Sequence, residues 1–397
     1  MAALAGAAGA TLAAGHAWAQ EAPKVPVAPA DPAGTVPNDA VMVDKFSAMR
    51  AHSERPLTAS VSAEFHHFAA TPNDRMFVRN NLLTPDIDAA RQRLTVKGLV
   101  HKEVSFSVDE LRKHFPAVRT QAMLECAGAG RTGFVPRPSG TPWPVTGGMG
   151  CPVWHGVRLR DVLRAAGMAN SATHVAGQGG DFGVIATAAP VIRSIPLDKA
   201  MEPHTLVVFG MNDGPLPKIH GHPLRLLVPG WAGSASTKWL HTLTVLDAPF
   251  KGTYMDTSYR VPREAVKPGE KMPPDALVTE GWPVKSMITY PAPNAVFKLG
   301  RPLLVEGRAW VGEGAIAQVE LSFDEGVTWQ AAQLNSAVDK YAWRIFSVEH
   351  RPAKAGYATV LARAGDDRGN VQPMMATWNP LGYFWNGVHR VGFVVEA

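Results

Sequence analysis

Residues 123–134 read MLECAGAGRTGF and place a cysteine inside a run of glycine and alanine, with an arginine five residues later. Cys126 is one of two cysteines in 397 residues. Small neighbours let a backbone or a large ligand approach the thiol closely. Arg131 adds a fixed positive charge that favours a thiolate. The stretch is therefore either a ligand-binding thiol or an ordinary turn, and the rest of the chain decides between them.

The composition is that of a folded chain with two or three domains, since 46% of the residues are hydrophobic and 18% are charged. The net charge of +5 is spread without a dense Lys or Arg run. It favours anionic substrates or partners, and we expect no nucleic-acid partner. No run of 18 uninterrupted apolar residues is present, so no membrane span is predicted.

The N-terminus resembles an export signal. Residues 1–19 are rich in Ala and Gly and end in Ala17-Trp18-Ala19, an A-x-A cleavage pattern. The usual positively charged start is missing, which indicates that the signal is incomplete here. The alternative is a flexible tail on a cytosolic protein. We predict export to the periplasm, followed by an extended Pro/Ala-rich segment over residues 20–59.

Residues 60–281 mix helical and strand signals. Residues 93–100 alternate like a strand, and residues 107–115 open with a Ser–Glu capping box that predicts a helix. Residues 158–167 place their apolar side chains on one helical face and end in glycine. The regular strand–helix alternation of a doubly wound fold is missing, so an α+β domain is predicted.

Residues 282–397 lack helical signals and predict a second domain. Residues 318–323 (QVELSF) alternate and are followed by a turn, and further short strand patterns recur at similar spacing. This pattern is typical of an immunoglobulin-like β-sandwich.

Several common motifs are missing or incomplete. The glycine-rich stretch at residues 177–183 lacks the GK[ST] ending of a P-loop, and no G-x-G-x-x-G follows a strand. Ser234 and Ser236 lack a hydrolase G-x-S-x-G frame. The 25-residue separation of Cys126 and Cys151 permits a disulfide, which spacing alone neither establishes nor excludes. Any redox chemistry requires a cofactor without a Rossmann signature.

Four segments of the first domain combine small residues with Arg, Lys or His: FVRNN (77–81), ECAGAGR (125–131), HGHPLR (220–225) and PGWAGSASTKW (229–239). Singly, each could be an ordinary salt-bridge partner or a core histidine. Together they favour a large polyanionic ligand held from several sides.

From about residue 60 to its end, the chain resembles the sulfite oxidase family of molybdenum enzymes. The resemblance rests on these four segments together with WHGVRLRDVL (154–163), MNDGPLP (211–217) and TSYRVP (257–262). Within that family it looks most like the bacterial periplasmic sulfite dehydrogenases. The resemblance implies a mixed α/β sulfite-oxidase-type molybdopterin domain followed by a sandwich that forms a homodimer. It implies molybdenum-molybdopterin as cofactor.

The resemblance also implies roles for individual residues. Cys126 would supply the one protein thiolate to molybdenum, a soft ligand that nearby cations favour. Arg79 and Arg131 would hold the anionic substrate, and Tyr259 would orient it beside a pocket tryptophan, Trp143. The residues implied to hold the pterin and its phosphate are Asn81, His220, Arg225, Ser236 and Lys238. Cys151 has no implied role, which weakens the disulfide interpretation.

The implied reaction is oxidation of sulfite to sulfate. No covalent-haem motif is present, so we expect no haem in this chain and a separate c-type cytochrome as electron acceptor. Three departures from the family pattern remove charge or change a contact: Asn81 replaces a His, the CAGAGR turn lacks an Asn and an Arg, and Ala315 replaces an Arg. The alternatives are a sulfane dehydrogenase subunit, an S- or N-oxide reductase, and a metal-free exported binding protein.

Overall fold

The computed structural model describes residue 42 and residues 44–397, apart from residues 184, 186, 337 and 338. The export signal predicted at residues 1–19 lies outside the described residues. Among those described, no helix is long and apolar enough to cross a membrane.

The first described strands lie ahead of the predicted domain boundary. Strand β1 (Arg50–Glu54) pairs with β2 (Leu57–Ser60), and β2 pairs with β3 (Val78–Arg79) through Thr58 and Arg79. The boundary predicted at residue 60 therefore cuts through a sheet. Strand β1 (RAHSE) is largely polar and has no apolar alternation, so this hairpin has no clear strand signal in the sequence.

Two larger sheets build the first domain. One has the order β11-β10-β15-β4-β5, with a parallel pair between β15 and β4, and the other the order β13-β12-β9-β6, with β14 also on β12. Their strands are β4 (Arg93–Gly98), β5 (Val104–Ser107), β6 (Ala117–Gln121), β9 (Val153–Arg158), β10 (His174–Gly179), β11 (Ile192–Pro196), β12 (Leu206–Met211), β13 (Gly214–Pro215), β14 (Arg225–Leu227) and β15 (Leu240–Leu246). Short paired strands are β7 (Leu124–Glu125) with β8 (Met149–Gly150) and β16 (Arg260–Val261) with β17 (Leu277–Val278).

The helices described are short: α1 (Val108–His114), α2 (Leu159–Ala166), α3 (Leu197–Met201) and α4 (Thr253–Asp256). Helix α1 begins at the predicted capping box, since the Ser107 hydroxyl accepts from Glu110 N and the Glu110 carboxylate accepts from Ser107 N. Helix α2 buries Leu159, Val162, Leu163 and Ala166 and ends at Gly167, as its periodicity predicts. Each fully buried aliphatic side chain contributes about 1.5–3 kcal/mol.

The second domain is built from sheets, and no helix occurs among its described residues. One sheet has the order β18-β20-β24-β23 and the other β19-β26-β25-β21-β22. The strands are β18 (Lys285–Tyr290), β19 (Val296–Lys298), β20 (Leu303–Trp310), β21 (Ile316–Ser322), β22 (Gln330–Ala331), β23 (Gln333–Leu334), β24 (Arg344–His350), β25 (Gly356–Asp366) and β26 (His389–Glu396). The alternation predicted at residues 318–323 lies on β21 as far as Ser322, with Val319 and Leu321 in the core between the sheets, and Phe323 follows the strand and packs against that core.

A buried cluster joins the two domains. Met123, Met149 and Cys151 of the first domain pack with Trp282, Trp310 and Trp343 of the second. Met123 N also donates to Tyr341 O at 2.8 Å. The loop that carries Cys126 therefore lies directly against the second domain.

Candidate functional site

A cavity in the first domain brings together most of the residues singled out in the sequence. Its walls are the Cys126 loop, the end of β3, the segments on both sides of β14 and the loop before β16. The predicted residues among its lining are Arg79, Asn81, Cys126, His220, Arg225, Ser236, Lys238 and Tyr259.

Cys126 follows β7 directly and is held by main-chain contacts. Its N–H donates to Gly148 O at 2.8 Å. Gly233 lies so close to the preceding turn that a Cβ there would be 2.9 Å from Glu125 O, which explains the small residue in PGWAG. The Cys126 and Cys151 thiols are both free, so the disulfide that the spacing permits is not formed. Burial raises the pKa of Cys151 to about 12, so its thiol is inert.

Three desolvated basic groups also line the cavity. Burial, with neighbouring cations, lowers the pKa of His220 well below its usual value, so the imidazole is neutral. Burial lowers the pKa of Arg225 to about 9, and it lowers the pKa of Lys238 well below its usual value. Lys238 donates to Asn80 Oδ1 and, at 3.0 Å, to Ile219 O. Buried cations held mainly by neutral oxygens are costly unless an anion compensates them.

Arg79 presents its charge to the cavity from the end of β3. Burial alone would lower its pKa, but the neighbouring acidic groups of Tyr259, Cys126, Tyr383 and Tyr254 together outweigh burial and hold the pKa above its usual value. The guanidinium donates to Asn80 O. The cavity thus has a permanent cation near Cys126, together with a basic patch.

Tyr259 and Asn81 face each other across the cavity wall. The Tyr259 hydroxyl lies within hydrogen-bond distance of both amide atoms of Asn81, 3.1 Å from Nδ2 and 3.2 Å from Oδ1. An amide can donate to or accept from a phenol, so Asn81 orients this hydroxyl. Tyr259 has a φ of +55°, in the left-handed region that non-glycine residues seldom occupy.

Two predicted site residues lie outside the cavity lining. Arg131 is buried, and its guanidinium donates to two main-chain oxygens, Leu381 O at 3.1 Å and Thr141 O at 2.8 Å. Trp143 is fully buried beside Phe77, with ring centroids 6.1 Å apart. Trp143 Nε1 is a buried donor that lacks a partner among the described residues.

Two residues of this region were not recognised in the sequence. Asp181, in the glycine-rich stretch, lines the cavity, and burial raises its pKa to about 6. Lys45 donates to Asn73 O at 2.7 Å and lies 2.5 Å from His220 Nε2, and burial lowers its pKa to about 7. The glycine-rich stretch around Asp181 is recognisable in the sequence, whereas no sequence pattern around Lys45 indicates a site.

The lining fits a large anionic cofactor bound through one soft ligand. Arg225 Nε and the Ser234 hydroxyl are buried without a protein partner, and both residues border the cavity. Such orphaned donors are satisfied by a ligand that accepts hydrogen bonds. Among the described residues no group of three His, Cys, Asp or Glu side chains could hold a metal ion. A metal here therefore needs ligands from its own cofactor beside Cys126.

Comparison with known proteins gives the same chemistry. Residues 81–254 match the family model "Oxidoreductase molybdopterin binding domain", and residues 277–396 match "Mo-co oxidoreductase dimerisation domain". Sulfite oxidase of Gallus gallus is 32% identical over 389 residues, covering 93% of this chain and 82% of that protein. Mitochondrial sulfite oxidase of Mus musculus is 34% identical over 87% of this chain, which spans 66% of the mouse protein.

A solved structure is similar over most of the fold. The sulfane dehydrogenase SoxCD of Paracoccus pantotrophus aligns with a TM-score of 0.73 and 25% identity, covering 87% of this chain and 88% of that one. With the two family models and the sulfite oxidases, this match establishes the family that the sequence motifs indicated. The chain belongs to the sulfite oxidase family and is a molybdenum-molybdopterin-dependent oxidoreductase.

Proposed function

We propose that this protein is a periplasmic sulfite dehydrogenase, which oxidises sulfite to sulfate and passes the electrons to a separate c-type cytochrome. The observation that carries the proposal is the placement of Arg79 in the same cavity as Cys126 and Tyr259. A guanidinium is always charged and matches the oxygens of a small anion. The similarity to sulfite oxidases over most of the chain supports the same substrate.

The basic groups of the cavity hold the cofactor in this proposal. Cys126 supplies a thiolate ligand. The pterin and its phosphate are held by Asn81, His220, Arg225, Ser236 and Lys238. Arg225 Nε is one of the buried donors that lack a protein partner and are free to bind this group. When bound, the cofactor supplies oxygen-atom transfer to sulfur and takes up two electrons.

The remaining work falls to side chains that bind and orient the substrate. Arg79 attracts the anion and offsets its charge, and this preorganised cation requires no rearrangement during the reaction. Tyr259 donates a hydrogen bond to a substrate oxygen, while Asn81 fixes the direction of its hydroxyl. Binding through Arg79 sets the affinity, and orientation through Tyr259 sets the rate of the chemical step.

The location, assembly and domain type are parts of the same proposal. The A-x-A pattern at residues 17–19 supports export. The match to a dimerisation domain supports a homodimer through residues 282–397, and the helix-free pair of sheets supports an immunoglobulin-like type for that domain.

A second candidate is sulfane sulfur oxidation, which the structural similarity to a sulfane dehydrogenase favours. Ala315 also bears on it, since it supplies no charge and its N–H donates to Asp367 Oδ1 in an exposed turn. Fewer fixed cations suit a less charged sulfur substrate. Steady-state reduction of ferricyanide with sulfite and, separately, with a persulfide separates the two. We expect kcat/KM at least tenfold higher for sulfite, and the reverse order would favour the second candidate.

A further inference from the structure

Two tyrosine rings and two guanidinium groups form a continuous row beside the cavity. The rings of Tyr259 and Tyr383 are stacked, with centroids 5.5 Å apart and planes 8° from parallel. Arg193 Cζ lies 5.1 Å from the centre of the Tyr259 ring, and Arg131 Cζ lies 5.4 Å from that of Tyr383. Cations within about 6 Å of an aromatic ring centre are attracted by its electrons. Each end of the row is thus a guanidinium group, that of Arg193 beside Tyr259 and that of Arg131 beside Tyr383.

Tyr383 is held more firmly than an ordinary loop residue. Its N–H and C=O both bond the side chain of Asn379, at 3.0 and 2.8 Å. The next residue, Phe384, donates its N–H to Ala127 O at 2.8 Å, which ties this loop to the Cys126 turn. Gly382 has a φ of +60°, and a Cβ there would lie 2.8 Å from the Arg131 side chain, so only glycine lets Arg131 reach the ring.

Tyr259, by contrast, needs support from outside its own segment. Its φ of +55° is unfavourable for a bulky residue and persists only where the surroundings over-determine it. The Tyr259 carbonyl accepts from Thr279 N at 2.7 Å, and Arg193 donates to the Thr279 carbonyl at 2.8 Å. These contacts fix the main chain. The Tyr259 ring also lies 6.1 Å from the Tyr254 ring, but that pair is tilted by 33°, whereas the pair with Tyr383 is stacked.

We propose that Tyr383, backed by Arg131, is a positioning residue that fixes the Tyr259 ring so that its hydroxyl meets the reacting anion. The inference rests on the proposed function, because it takes Tyr259 to face that anion. It also assigns Arg131 a role: this arginine acts through the Tyr383 ring. Tyr383 borders a second, open groove that Trp282 and Phe384 also line, so loss of its ring gives Tyr259 room to move.

The protonation state of Tyr383 suits such a structural contact. Burial and the neighbouring Tyr259 phenol raise the pKa of Tyr383 above its usual value, so the ring stays neutral at working pH. A neutral ring stacks on Tyr259 without placing a negative charge beside an anionic substrate. Its aromatic face, rather than its hydroxyl, is therefore the feature that the role requires.

The test compares Tyr383→Leu, which removes the aromatic face, with Tyr383→Phe, which keeps it, in molybdenum-loaded enzyme. Misplacement of an orienting group by about 1 Å can cost up to 10²-fold in rate. We expect Tyr383→Leu to lower kcat for sulfite about tenfold, with the inhibition constant of sulfate within about twofold of wild type because Arg79 is untouched. Tyr383→Phe should keep kcat within about twofold.

A double-mutant cycle with Tyr259→Phe shows whether Tyr383 acts through the Tyr259 hydroxyl. Coupled residues give non-additive effects, so Tyr259→Phe/Tyr383→Leu should be no slower than Tyr259→Phe alone. Trp329→Leu is the matched control, since Trp329 lies under Arg363 at 3.9 Å in the second domain, away from the cavity. It should leave kcat unchanged. Tyr383→Met replaces Tyr383→Leu if the leucine variant does not fold.

Fluorine NMR of protein labelled with 3-fluorotyrosine gives a side-chain readout that does not depend on turnover, with the Tyr259 signal assigned by its loss in Tyr259→Phe. Relaxation of this signal should show a more mobile Tyr259 ring in Tyr383→Leu than in wild type and Tyr383→Phe. Unchanged ring mobility, an unchanged kcat, or additive losses in the cycle would each overturn the inference. If wild-type enzyme does not oxidise sulfite, the proposed function fails, whereas the NMR data still decide whether Tyr383 holds the Tyr259 ring.

Discussion

Arg79 carries the fixed positive charge that the cavity presents beside Cys126 and Tyr259. The other basic groups lie where burial lowers their pKa values, and Arg131 is committed to main-chain oxygens. The electrostatic attraction of a small anion to the thiolate end therefore depends mainly on one side chain. Because the attraction depends mainly on Arg79, substitution of this one residue tests the proposed substrate.

We predict that Arg79→Gln lowers kcat/KM for sulfite about 10- to 100-fold, because a charge-assisted hydrogen bond contributes about 1.5–3 kcal/mol. The loss should fall mainly on KM, as Arg79 binds the anion. Arg91→Gln is the control, since its side chain is 90% exposed and should leave both constants unchanged. An unchanged KM in Arg79→Gln would show that the anion binds elsewhere.

The chemistry of single residues was predictable only where the sequence context is unusual. Cys126 stands out because small residues surround it, and His220, Arg225 and Lys238 stand out because several such segments recur. Arg131 has the same kind of context, but the fold directs its guanidinium inward. The contact of Tyr383 with Tyr259 is visible only in the structure, because the two residues lie more than 100 positions apart in the chain.

At the scale of elements, β7, β18 and β20 meet at a buried ion pair next to the thiolate. Glu125 accepts from Lys285 Nζ and from Trp310 Nε1, both at 2.7 Å, and Lys285 and Trp310 are paired across β18 and β20. The Lys285 and Glu125 side chains are 3% and 5% exposed. The second domain thus anchors the residue that precedes Cys126.

Lys285→Met should destabilise the folded protein by about 3–5 kcal/mol, because it leaves the Glu125 charge buried without its partner. Glu125→Gln/Lys285→Met removes both charges and should recover most of that loss. Thermal melting of wild type, both single variants and the double variant measures the coupling. A double variant as unstable as the sum of the singles would contradict an ion-pair origin.

A second contact between the domains links α3 to the segment before β24. Glu202, just after α3, accepts from Lys199 at 2.6 Å and from Lys340 at 2.9 Å, and the Tyr341 hydroxyl also donates to it. Burial alone would raise the pKa of Glu202, but these donors outweigh it and lower the pKa to about 2. The carboxylate is therefore more acidic in the folded protein than in the unfolded chain.

The lowered pKa of Glu202 determines how the stability of the fold depends on pH. Glu202 stabilises the fold fully above its unfolded pKa near 4.5 and loses this contribution as pH falls towards about 2. The side chain is part-exposed, so the contribution is about 1–2 kcal/mol after solvent screening. Glu202→Gln should melt lower than wild type at pH 7, and the difference should shrink by pH 3. A constant difference would show that ionisation of Glu202 is not involved.

At the scale of the whole molecule, the order of domains and most strong helix and strand signals were predictable from the sequence. A capping box marked α1, and an apolar face marked α2 and β21. The hairpin of β1 and β2 was missed because β1 is largely polar. The packing of Trp282, Trp310 and Trp343 against the Cys126 loop was not predictable, because it depends on the contact between domains.

We predict that the protein is a homodimer in solution through residues 282–397. Light scattering of the purified protein should give twice the monomer mass at micromolar concentration. A fragment comprising residues 60–281 is not a suitable control, because the interdomain cluster would be exposed. A monomer mass for the full chain at all accessible concentrations would contradict this part of the account.

The most direct test of the central claim is sulfite-dependent reduction of ferricyanide by molybdenum-loaded protein, measured beside Cys126→Ser. We predict robust turnover in wild type and near-complete loss of turnover in the variant, because the hard serine oxygen replaces the soft thiolate ligand. Turnover that persists in Cys126→Ser, or metal-replete wild type that does not oxidise sulfite, would show that this protein is not a Cys126-dependent sulfite dehydrogenase.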